Sequence, residues 1–493
     1  DELALQGGQP DLQSAQLAFV FVLVHGRSLA RARGARKARG MRRVIPVLII
    51  AVLLAAAGFA AFTWAARNPD GAGLRDLGQA AGEAYIYGYP LVLMDQTRRT
   101  MLSAPDIETN QLHHRPALPG FGDETVVRPN RDTLYSLAWL DLSDGPALFR
   151  YPEEAERYWL AQVMDMWTDV AGTAGSRTAG GAAGGVQIAG PGWDGPVLAD
   201  YPRIEVPTPY AWLLIRVGVA DRPADLDAGR ALQAAFALTA HEAGPSGYEA
   251  TRRRPPDAVA ALSPDAFFSR LAALTARHPP RPADAPMLAQ MAVIGLEPGE
   301  HDAAGFGPLA RRAVERGVAV ARERLSEGVR SRPYGPTGWR TALDLGDYGT
   351  DYALRAGVAL IGLGANRPED ALYPSTDIDS QGRPLTGDHV YQIRFAPGQT
   401  PPARAFWSVT AYDAEGFLQN TQRHLVGDRD GLVFDGDGGL TLTISAERPN
   451  QRPQSNWLPV APGAPFQLTA RLYDPEPQAL SGAWRMPAVE RVE

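Results

Sequence analysis

Ala405-Phe406-Trp407-Ser408-Val409-Thr410-Ala411-Tyr412 and Phe466-Gln467-Leu468-Thr469-Ala470-Arg471-Leu472-Tyr473 decide how this chain reads. Both alternate with period two. In the first, Ala405, Trp407, Val409 and Ala411 share one face, and Phe406, Ser408, Thr410 and Tyr412 share the other. In the second, Phe466, Leu468, Ala470 and Leu472 oppose Gln467, Thr469, Arg471 and Tyr473. Tyr391–Phe395 and Gly439–Ile444 add two more strands, and turns of Gly, Pro and Asp separate them. Short alternating strands with such punctuation predict a β-sandwich or barrel.

The same signature appears earlier. Leu134–Leu142, Trp159–Thr168 and Ala211–Gly218 alternate as strands, with Trp212, Leu214 and Arg216 together on one face. Ala171–Gly185 is rich in Gly and Ala and reads as a mobile loop. Helical spacing replaces alternation over Asp225–Ala243, Pro264–Arg277, Ala285–Ile294 and Leu309–Val329, and again over Asp347–Gly364. A first helix is expected around Leu77–Tyr87, bending or ending at Gly88-Tyr89-Pro90. The order β, α, β predicts an α+β protein, mainly β, with two β-domains and a helical insertion between or beside them.

Composition narrows the chemistry. The 493 residues contain no cysteine, which removes thiol nucleophiles, cysteine-bound zinc and disulfides. Lys37 is the only lysine, so no Schiff-base or P-loop lysine lies in the folded part. Eight basic side chains against Asp1, Glu2 and Asp11 give residues 1–43 a charge of +5, while the whole chain is −7, leaving −12 on the rest. An acidic body repels phosphate backbones, so no nucleic-acid partner is expected.

Val44–Ala66 is a run of 23 residues without a charge, preceded by Arg42 and Arg43. About 20 apolar residues span a bilayer as a helix. Basic residues stay on the cytoplasmic side, which predicts a single transmembrane or signal helix with the body in the periplasm. The run is longer than a signal-peptide core, so an uncleaved anchor is favoured over cleavage after Ala60 or Ala65. Met41-Arg42-Arg43 has the look of a natural start, and residues 1–40 read as a basic, disordered leader outside the translated protein.

Several residue groups carry candidate chemistry. Asn130-Arg131-Asp132 is the densest polar cluster beside an aromatic strand. Arg131 can fork onto a carboxylate and Asp132 can accept from sugar hydroxyls; equally, Pro129-Asn130 opens a turn that these side chains would hold. Asp165 lies between Trp159 and Trp167, where burial would raise its pKa and suit it to acid catalysis with Asp132; the plain alternative is a carboxylate tied to backbone at a strand end. Tyr135 and Trp167, with Tyr85, Tyr87, Tyr89 and Trp139, suit stacking on a ligand or filling a core. The adjacent His113-His114 in a loop lacks metal-ligand spacing. Gly362-Leu363-Gly364 lacks the third glycine of a dinucleotide fingerprint, so neither metal nor cofactor is expected.

The C-terminal block Ala405–Asp413, with Asn456-Trp457-Leu458-Pro459 and Arg471-Leu472-Tyr473-Asp474-Pro475, resembles domain of unknown function 1214. The earlier block resembles domain of unknown function 1254, through Ala84–Pro90, Arg128-Pro129-Asn130-Arg131-Asp132-Thr133-Leu134-Tyr135, Gly349–Arg355 and Gly362–Asn366. The resemblance implies two jelly-roll-like domains in a bacterial envelope protein, akin to double jelly-roll capsid proteins, and no activity. The expected division is leader (1–40), anchor (41–67), first β-domain (71–221), helical segment and linker (222–385) and second β-domain (386–493). The expected role is binding a polar or carbohydrate-like small molecule through Asn130, Arg131, Asp132, Tyr135, Asp165 and Trp167. The alternatives are a carboxylate-dependent hydrolase or lyase on a glycan or small organic substrate, and a structural, self-assembling homo-oligomer.

Overall fold

The strand alternation sorts each β-domain into a buried face and a second face with its own partner. The computed structural model describes residues 71–123, 127–196, 201–243, 246–251, 253–330, 332–450 and 452–492. The expected anchor Val44–Ala66 and the leader lie outside the described residues. Among the described residues, no helix is long and apolar enough to cross a membrane.

The first β-region pairs two sheets. One holds, in spatial order, β1 (His113–Arg115), β2 (Thr133–Asp141), β8 (Tyr210–Gly218), β4 (Trp159–Asp165) and β5 (Val170–Gly175). The other holds β7 (Arg203–Glu205), β6 (Gly184–Ala189), β3 (Ala147–Tyr151) and β9 (Ala237–Thr239). Ala138 and Leu140 of β2, Ala161 and Val163 of β4, and Leu213 and Ile215 of β8 meet Phe149, Val186 and Ile188 in one apolar core. Each such Val, Leu, Ile or Phe side chain, fully buried, contributes roughly 1.5–3 kcal/mol.

The other face of β2, β4 and β8 is covered too. Leu137, Trp139, Met164, Trp212 and Leu214 pack into a helical layer. Its centre is the Gly71–Leu102 helix, packed on the Pro308–Arg330 and Tyr352–Gly362 helices. Two glycines let the first pair close: a Cβ at Gly317 would stand 1.9 Å from the Gly78 carbonyl oxygen. The helix does not end at Gly88–Pro90 but runs on through Pro90 to Leu102. A proline inside a helix costs ~3 kcal/mol when nothing compensates. Here every residue from Ala84 to Asp95 is buried, and packing on all sides outweighs the missing bond.

Three further expectations change. Ala171–Gly185 is no loop but carries β5, a short helix (Ser176–Ala179) and the start of β6. Its glycines serve close packing: a Cβ at Gly175 would lie 2.5 Å from the Trp159 carbonyl oxygen. His113 and His114 lie in β1, paired with Leu137 and Ser136. The helix expected to reach Ala243 spans Pro223–Ala235, because the chain turns there to pair β9 with β3. A short hairpin, β10 (Leu296–Glu297) with β11 (Glu300–His301), sits among the helices.

The second β-region repeats the plan. One sheet runs β12 (Ala371–Leu372), β19 (Phe466–Pro475), β15 (Ala403–Asp413), β16 (Leu425–Gly427), with β13 (Ser375–Thr376) also on β19. The other runs β18 (Trp457–Pro459), β17 (Leu440–Ser445), β14 (Tyr391–Phe395), β20 (Val489–Arg491). Trp407, Val409, Ala411, Leu468, Ala470 and Leu472 meet Tyr391, Ile393, Leu442 and Ile444 between them. The described chain is thus mixed α+β, mainly sheet, without a closed barrel.

A seam between two sandwiches as the candidate functional site

The polar face of β15 and β19 does not point to water. It receives the turn that leads into β2. Asn130 builds that turn: its Oδ1 accepts from the Asp132 amide at 2.7 Å. The Asp132 carboxylate, 0% exposed, then crosses to the second sandwich. Its Oδ2 accepts from Ser408 Oγ at 2.7 Å and from the Tyr473 hydroxyl at 3.2 Å, and its Oδ1 accepts from Arg429 at 3.4 Å. Asn130 Nδ2 also donates to Tyr473, at 2.9 Å.

Arg471 secures the other side. It donates to Thr410 at 3.0 Å, to the Tyr412 hydroxyl at 2.7 Å and to the Arg128 carbonyl at 3.1 Å. Tyr412 in turn donates to the Pro129 carbonyl at 2.8 Å. Arg128 (φ 52°) and Asp474 (φ 50°) both adopt left-handed backbone beside this seam. For residues other than glycine that conformation costs of order 1–2 kcal/mol. The strain is held by docking: Arg128 donates to Gln467 at 2.6 Å, and Arg404 donates to Asp474 at 2.8 Å.

Arg131 turns away from Asp132, to the Pro119 carbonyl and the Asp221 carboxylate. Tyr135 lies directly opposite Arg216 on β8, with the guanidinium 5.4 Å from its ring centre. Burial alone would raise the phenol, but Arg216, with help from Thr133 and Asn130, brings Tyr135 below its ordinary range. Arg216 has Gln162 at 3.0 Å and the Gly364 carbonyl as partners.

A cleft of about 430 Å³ opens along the seam, with Asp132 and Ser408 in its wall. Arg131, Arg222, Arg423 and Arg429 line it, against Asp132, Asp221 and Asp430. Arg423 pairs with Asp430 at 2.8 Å, and Arg429 stacks 3.5 Å above the Phe406 ring. His424 is held down to about 4 by burial first and Arg131 second, so it stays neutral near pH 7. Trp407 and Trp457 complete the wall. Donors outnumber acceptors here, and both are present, an arrangement suited to hydroxyls and a carboxylate.

Of the six residues singled out from sequence, Asn130, Arg131, Asp132 and Tyr135 gather at this seam. Asp165 and Trp167 do not. Asp165 pairs with Ala211 on β8, while the Asp132 carbonyl bonds to Val219 eight residues further along. At ~3.3 Å per residue that is roughly 26 Å. Paired carboxylates in glycoside hydrolysis stand ~5–10 Å apart. Asp132 and Asp165 therefore form no such pair.

Asp165 instead holds its own turn, accepting from the amides of Trp167 at 2.8 Å and Asp169 at 3.0 Å. Burial, then the Asp169 charge, raise its pKa well above the carboxylate range. Arg281 bridges Asp169 at 3.1 Å and Asp284 at 3.3 Å. Arg355, fully buried, has one acceptor among the described residues, the Gly349 carbonyl at 2.7 Å. Its guanidinium lies 5.6 Å and 6.0 Å from the Tyr352 and Trp167 ring centres. Such cation–π contacts contribute about 2 kcal/mol or somewhat more when desolvated, against several kcal/mol for desolvating an ion.

Sequence reasoning missed Arg216, Arg429, Arg423 and His424. Ser408, Tyr412, Arg471 and Tyr473 were legible as one face of two strands; what that face meets was not.

Fold and seam define a chain whose two sheet-built regions meet along one seam, through the turn at Asn130 and through Tyr158 packed on Phe406 and Tyr473. Residues 109–240 match the family model described as protein of unknown function (DUF1254), and residues 370–477 match the one described as protein of unknown function (DUF1214). The chain carries both domains, in that order. It is similar to the VPA0106 protein from Vibrio parahaemolyticus, whose crystal structure matches with a TM-score of 0.62 at 25% identity, covering 85% of this chain and 100% of that one. An uncharacterized protein from Burkholderia cenocepacia matches with a TM-score of 0.44 at 15% identity, covering 86% of this chain and 96% of that one. No functionally curated protein matches.

Proposed function

We propose that this chain is an exported or membrane-anchored envelope protein whose two jelly-roll-like domains bind a polar, carbohydrate-like small molecule in the cleft along their seam. The observation that carries the reading is the cleft itself: about 430 Å³, with four arginines, three aspartates and a neutral histidine around it. Arginines fork onto carboxylates, and aspartates accept hydroxyl protons. The ligand class that uses both is a hydroxylated small molecule bearing a carboxylate, such as a sugar acid. The uncharged run after Arg42-Arg43 supports export, and the acidic remainder of the chain supports a partner other than nucleic acid.

A thermal-shift screen of matched pairs, neutral sugars against the corresponding sugar acids, tests this. Sugar acids raise the melting temperature of the wild-type protein, and Arg429→Ala loses the shift. Equal indifference to both sets contradicts the reading.

A further inference from the structure

Behind the first sandwich, at the end of the sheet away from the seam, Arg355 stands inside the protein with no carboxylate of the described residues as its ion-pair partner. It is 0% exposed. Nη2 donates to the Gly349 carbonyl at 2.7 Å, while Nε and Nη1 have no acceptor among the described residues. Trp167 Nε1, on the ring 6.0 Å from the guanidinium, has none among them either. Tyr87 closes the box, 5.0 Å from both the Trp167 and Tyr352 rings.

The carboxylates nearby are otherwise engaged. Asp284 accepts from Tyr352 at 2.9 Å and Tyr87 at 3.2 Å and pairs with Arg281. Asp169 accepts from the Tyr348 amide at 3.1 Å and pairs with Arg281. Arg281 also donates to the Gly349 carbonyl, so two guanidinium groups converge on one oxygen. Buried charges in proteins are paired or neutralised, and arginine stays protonated. Aromatic faces offset part of the desolvation of Arg355, but they accept no hydrogen bond along its N–H edges.

From this geometry we infer that Arg355 and the Trp167 indole N–H bind a small anion inside the Tyr87–Trp167–Tyr352 box. The ligand class is a halide or a small carboxylate such as formate, which one guanidinium edge and one indole N–H suffice to hold. The site is separate from the seam cleft and stands or falls without it.

Bromide is the probe. Crystals of the full chain grown with sodium bromide are expected to show an anomalous peak within hydrogen-bonding distance of Arg355 Nε or Nη1 and of Trp167 Nε1. In solution, raising bromide or formate at constant ionic strength raises the melting temperature with the logarithm of anion concentration. Arg355→Met removes that dependence. Water or empty density at Arg355 in bromide-grown crystals overturns the inference, as does a melting temperature indifferent to both anions. The crystallographic result decides even if the variant does not fold.

Discussion

Asp132 and Ser408, 276 residues apart in sequence, share a 2.7 Å hydrogen bond across the seam, with the carboxylate wholly removed from solvent. A carboxylate so placed is tolerated because its partners converge from the second sandwich. Tyr473 and Arg429 supply the other two contacts. The seam and its cleft are therefore one structure: the groups that lock the domains also shape the wall in which a ligand would sit.

Ser408→Ala takes away one of these donors and leaves a buried carboxylate short of a partner. Hydrogen bonds to charged groups contribute ~1.5–3 kcal/mol. The expected loss is of that size, read from the midpoint of denaturant unfolding. A double-mutant cycle with Asp132→Asn should show coupling, since the two side chains touch. Additive effects would mean that the contact carries no energy.

Tyr135 is the one tyrosine among the described residues whose pKa shift is downward. Titrating the native protein and following tyrosinate absorbance should reveal an early phase. Tyr135→Phe removes it, and Arg216→Gln moves it upward, because burial then acts without its nearest positive charge. A titration in which Tyr135→Phe leaves the first phase intact would contradict the arrangement.

Asp165 makes stability fall with pH. Its folded pKa is raised by burial and by Asp169, above the unfolded value near 4. Between those two values the native state binds more protons than the unfolded state, so this contribution is full below pH ~4 and is lost as pH rises through the raised pKa. Asp165→Asn keeps an oxygen for the amides of Trp167 and Asp169 and cannot ionise. Its melting temperature relative to wild type should therefore improve more at pH 8 than at pH 5. A constant difference across that range would show that Asp165 ionises normally.

Gly317→Ala tests the helical layer. The added Cβ would meet the Gly78 carbonyl oxygen at 1.9 Å, so the two helices must part. Overpacking of this kind costs ~1–3 kcal/mol and at times more. Ala319, an exposed position on the same helix, gives the control: Ala319→Gly should cost only ~1 kcal/mol, the ordinary helix penalty. Equal effects would place the helices further apart than described.

The sandwiches were legible because period-two alternation is written locally: Trp407, Val409 and Ala411 share a face whatever else surrounds them, and they do meet in the core. The turn at Asn130 was legible for the same reason. What Asp132 meets was not, because Ser408, Arg429 and Tyr473 approach from elements far along the chain. Asp165 misled for a related reason. Two aspartates beside aromatic strands look alike in sequence, but antiparallel register sends them to opposite ends of one sheet. The passage of a helix through Pro90 was hidden because the compensation comes from packing partners in later segments, the Pro264–Arg277 and Pro308–Arg330 helices among them. Gly175 reads as loop in the sequence because the Trp159 backbone that lies against it comes from a strand sixteen residues earlier.

The most direct test is a crystal structure of the protein with a sugar acid drawn from the binding screen. The ligand is expected in the seam cleft, with its carboxylate on Arg429, Arg222 or Arg423 and its hydroxyls within reach of Asp221 or Asp430. A bound sugar acid elsewhere on the molecule, with the cleft filled by solvent alone, would contradict the account.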